Sequence, residues 1–61
     1  MSLQFERVIL DKIRDIRSVV EYARDTTISF DAKQQFKIIS GKLRELDKFI
    51  DSYIEDFEKE G

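Results

Sequence analysis

Asp25-Thr26-Thr27-Ile28-Ser29-Phe30 is the stretch that decides the fold. It is rich in β-branched and hydroxyl side chains and poor in helix formers. On either side of it, apolar residues recur at helical intervals. Downstream, Asp31 followed by Gln34 is a capping-box pattern, and Ser29 is an alternative cap. A turn at about 26–30 follows, between a helix over about 4–25 and a second over about 31–59.

Working outward from the turn, the second segment places Ala32, Phe36, Ile39, Leu43, Leu46, Ile50, Tyr53 and Phe57 at alternating steps of four and three. This is a heptad seam, with Phe36, Leu43, Ile50 and Phe57 at position a and Ala32, Ile39, Leu46 and Tyr53 at position d. The first segment has a seam of its own in Ile9, Ile13, Ile16, Val20 and Ala23, flanked by Phe5, Val8 and Val19. Lys12 falls inside this apolar arc, where its stem can lie along apolar surface while the ammonium reaches water. Val20 and Phe36, both a positions, are sixteen residues apart, two more than two heptads. One straight helix would rotate its stripe at the junction, whereas an antiparallel hairpin brings the two stripes together. Folding about the turn makes facing residue numbers sum to about 56. The expected pairs are Ala23–Ala32, Val20–Phe36, Ile16–Ile39, Ile9–Leu46 and Phe5–Ile50.

The chain has 61 residues, so a single domain is expected, and a core of that size is marginal. Two helices share one contact line, which leaves apolar surface over. Phe5, Val8, Leu10, Val19, Ile38, Phe49 and Ile54 are the candidate interface residues. The fold expected is all-α: an antiparallel two-helix hairpin that assembles as a homodimer into a four-helix bundle. Met1-Ser2-Leu3 and Glu60-Gly61 read as vector-derived ends.

Composition narrows the chemistry. There is no cysteine and no histidine, so a disulfide, a thiolate site and an imidazole proton shuttle are all excluded. No metal site or cofactor is expected. Glu45, Asp51, Glu55, Asp56 and Glu58 lack the inward-facing His-containing motifs of a di-iron bundle, and no catalytic residue is assigned. Arg7, Arg14, Arg17 and Arg24 form a basic stripe, but Asp11, Asp15 and Glu21 interleave at helical spacing, as in Arg7–Asp11, Arg17–Glu21 and Glu21–Arg24. Nucleic-acid binding is therefore the weak alternative, although residues 1–44 carry nine basic and six acidic groups and residues 45–61 two and seven. Gly41 falls on the outer face at position f. Tyr22 and Phe30 mark the turn end as a further contact surface. No apolar run can span a bilayer. A cytoplasmic protein that contacts itself, or another helical protein, is expected.

One segment carries a family resemblance. Glu45-Leu46-Asp47-Lys48-Phe49-Ile50-Asp51-Ser52-Tyr53 resembles the second-helix signature of the small sporulation-regulatory aspartyl-phosphate phosphatases, Ser-x-x-Leu-Asp-x-Leu-Ile-x-x-Tyr. Leu46, Asp47, Ile50 and Tyr53 match it. Phe49 replaces a leucine, and Leu43 stands where the signature has serine. The resemblance implies a helical hairpin that docks on a phosphorylated response regulator, with Asp47 assisting hydrolysis of the aspartyl phosphate. This is the catalytic alternative to a non-catalytic interaction module.

Overall fold

The computed structural model describes residues 3–60, with only the backbone given for Glu60. Met1, Ser2 and Gly61, parts of the proposed vector-derived ends, lie outside the described residues. Two helices, α1 (Gln4–Thr26) and α2 (Phe30–Glu60), pack against each other as an antiparallel hairpin 48 Å long. The connection is Thr27–Ser29, shorter at both ends than the expected turn.

Local chemistry accounts for the chain reversal. Thr26 Oγ1 donates back to the Tyr22 carbonyl at 2.8 Å. Thr27 leaves the helix in an extended conformation, with its N–H still bonded to the Ala23 carbonyl. Its hydroxyl oxygen then accepts from the Ser29 N–H at 3.2 Å. Ser29 caps α2, its Oγ accepting from the Ala32 N–H at 3.2 Å. The alternative cap is therefore the one used, and Asp31 lies in the first turn of α2, where its charge suits the helix dipole.

The helices meet along the a positions of their apolar seams but not along most of the d positions. The buried apolar residues are Leu10, Ile13 and Ile54, each 6% exposed, joined by Ser40 at 3% and Asp47 at 9%. Ser40, Asp47 and Ile54 recur every seven residues at heptad position e of α2, and Leu10 occupies position e of α1. Each helix thus presents its a/e line to the other, rotated by about 50° from the a/d seam at 100° per residue. Of the expected facing pairs, Ile16–Ile39 consists of two exposed residues, and Leu46 and Phe5 are exposed as well, so three of the five do not form a core. The register also differs. The cross-helix polar pairs Arg14–Asp47, Arg17–Asp47, Glu21–Ser40, Glu21–Arg44 and Arg7–Glu58 lie five to nine positions further along α2 than a sum of 56 allows. The cause is directional. Side chains lean toward the N-terminus of their own helix. Those of α1 therefore lean away from the turn and those of α2 toward it, and partners that touch come from deeper in α2.

Gly41 sits mid-helix and exposed. A Cβ added there meets no atom within 4 Å. Gly41→Ala is therefore expected to raise stability by about 0.8–1 kcal/mol through helix propensity alone, read as a higher midpoint in urea. A loss of stability would mean that something packs against this backbone.

Candidate functional site: an apolar face opposite an ionic face

The a/e contact line divides the hairpin into two unlike faces. One carries the ion pairs. Asp47 accepts from Arg14 Nε at 2.9 Å and from Nη2 at 3.5 Å, and Arg17 Nη1 lies 3.7 Å away. Glu21 accepts from Ser40 Oγ at 3.2 Å and from Arg44 Nη2 at 3.4 Å, with Arg17 Nε at 3.8 Å. Arg7 pairs with Glu58 near the free ends. Arg24 is held by neighbouring Asp25. All four α1 arginines thus have carboxylate partners, and Arg7 finds its partner on the other helix rather than in Asp11. Most of these pairs are partly exposed and are worth a few tenths of a kcal/mol each.

Asp47 is the exception. The hydrogen bond from Arg14 holds its carboxyl below the usual range, outweighing the opposite effect of burial, and the charges of Arg14 and Arg17 add to the lowering. Because the folded-state pKa lies below the unfolded value near 4, the contribution of this carboxylate is complete above about pH 4. It is lost as pH falls through the folded value. In thermal melts from neutral to acid pH, Asp47→Asn is expected to be less stable than wild type above about pH 4, the difference shrinking below it. A difference independent of pH would remove the ion pair as its cause.

The other face is apolar. The d positions of both helices fall on it, and Ile16, Ile39, Leu46 and Tyr53 are exposed there, flanked at g by Phe5, Val19 and Phe49. Toward the free ends it opens into a groove of about 260 Å³ lined by Glu6, Ile9, Phe49, Ile50 and Tyr53. Glu6 Oε2 has no accessible surface and no hydrogen-bond partner. Of the candidate interface residues, Phe5, Val8, Val19, Ile38 and Phe49 are exposed. Leu10 and Ile54 are not, which corrects their assignment: both lie between α1 and α2, so their apolar area is already covered. Val8 and Ile38 lie on the outer flanks, at position c.

The sequence reading missed the e line. Its signal was the seven-residue recurrence of Ser40, Asp47 and Ile54, which passes for a solvated flank as long as the a/d seam is taken as the line of contact. Tyr22, Ile28 and Phe30 are exposed around the turn. Among the described residues no three carboxylates converge as a metal site would need, and no helix is long and apolar enough to cross a membrane.

Comparison with known proteins adds no relative. No protein-family model matches the chain, and no curated protein or solved structure is significantly similar to it.

Proposed function

We propose that the chain is a non-catalytic interaction module whose apolar face is covered by a second copy of itself, giving a four-helix bundle. The observation that carries this reading is the exposure, on one face, of the d-position side chains Ile16, Ile39, Leu46 and Tyr53. Area supports it. The accessible surface is 4977 Å², against about 4,200 Å² for a folded monomer of 7.3 kDa. The excess of about 800 Å² is what each partner contributes to a standard protein–protein interface. No described side chain is less than 2% exposed, so the hairpin lacks a fully enclosed core of its own.

Neither rival has comparable support. The phosphatase reading needs Asp47 at a reacting aspartyl phosphate, but this carboxylate is buried and held by two guanidinium groups. Nucleic-acid binding needs a concentrated basic surface, whereas the arginines of the α1 stripe are paired with carboxylates and the chain as a whole carries a net charge of -2. Sedimentation equilibrium tests the proposal. A mass twice the 7.3 kDa of one chain is expected at micromolar concentration, and a folded species of single mass would overturn it.

A further inference from the structure

Self-association through the apolar face permits two symmetric arrangements. The hairpins can lie with their turns at the same end or at opposite ends. We propose that they dock with the turns at opposite ends, so that the turn half of one copy covers the free-end half of the other. This inference rests on the proposed self-association and adds its direction.

Charge complementarity carries it. The Arg14–Asp47 pair marks a level along the hairpin. On the turn side of that level, residues 15–46 carry six basic and five acidic groups, a net charge of +1. The remaining residues carry five basic and eight acidic groups, a net charge of -3. Turns together would stack the two acidic halves on each other and the two basic halves on each other. Turns apart places opposite signs face to face. Packed helices lie about 8–10 Å apart, within a Debye length of about 10 Å at 0.1 M salt, so the difference acts under ordinary conditions.

Distance measurement decides the matter. The chain has no cysteine, and Ile28 at the turn is fully exposed, so a nitroxide on Ile28→Cys reports one position per copy without disturbing either face. Double electron–electron resonance on the full chain is expected to give an inter-copy distance of about 40–50 Å, set by helices rising about 1.5 Å per residue. A distance below about 25 Å would overturn the proposed direction and leave self-association standing, because two turns at one end are separated by little more than a packed-helix spacing. A distribution containing both distances would overturn a unique direction. Absence of any inter-copy dipolar signal at concentrations of tens of micromolar would instead overturn the self-association on which the inference rests.

Discussion

A chain carrying Leu46→Asp is expected to be monomeric at concentrations where the unaltered chain associates, with its dissociation constant raised at least about a hundredfold. Leu46 sits at a d position in the middle of α2 and is exposed on the hairpin. In a lone hairpin the substitution is a surface change, worth within about 0.5 kcal/mol either way. In a dimer it removes leucine burial from both copies, about 1–2.5 kcal/mol for the exposed fractions together. It also forces two carboxylates into an apolar interface, at a cost of several kcal/mol. Each 1.4 kcal/mol is about a factor of ten in affinity. Analytical ultracentrifugation over a dilution series reads the change. An unaltered association constant would show that Leu46 faces water in every state of the protein.

Ile13→Ala has the second large effect, and it acts on the hairpin itself. Ile13 is 6% exposed and lies on the contact line with Leu10 and Ile54. Truncating a buried isoleucine costs about 2–5 kcal/mol. A domain below about 70 residues seldom has more than about 3–5 kcal/mol in reserve. The variant is therefore expected to lose most of its helical circular dichroism at 25 °C. Ile39→Ala is the informative companion: its side chain is exposed in the hairpin, so its cost falls on association, and the linked melting midpoint is expected to drop by less than for Ile13→Ala. If Ile13→Ala left the melting midpoint unmoved, the a/e line would not be where α1 and α2 meet.

These two substitutions also mark where the sequence was legible. Both helices, the reversal near Thr27–Ser29 and the apolar stripes could be read from spacing and turn chemistry, because those signals are local. Which line of each helix faces the other could not. A heptad stripe says that Ile39 and Leu46 prefer to leave water; it does not say what covers them. Asp47 stood out only through a family resemblance, and Arg7 was paired with Asp11 of its own helix, whereas the expected Arg17–Glu21 pair does form. In the fold the e line instead holds the helices together through Leu10, Ile54, Asp47 and Ser40, the last two bonded to Arg14 and Glu21, positions remote in sequence. The register was misjudged for a related reason: numbering about the turn counts backbone levels, whereas side chains of antiparallel helices lean in opposite directions. Leu10 and Ile54 were assigned to an outer surface because the a/d seam had been taken as the inner one.

If, as proposed, the apolar d positions left open on one face of the hairpin are covered only when two copies meet, folding and assembly are one equilibrium. Thermal unfolding followed by circular dichroism over a hundredfold range of chain concentration tests it most directly. Linked folding and association predict a midpoint that rises steadily with concentration, by mass action. A cooperative transition with the same midpoint at every dilution would contradict it, since a solitary hairpin would then be stable with its apolar face in water.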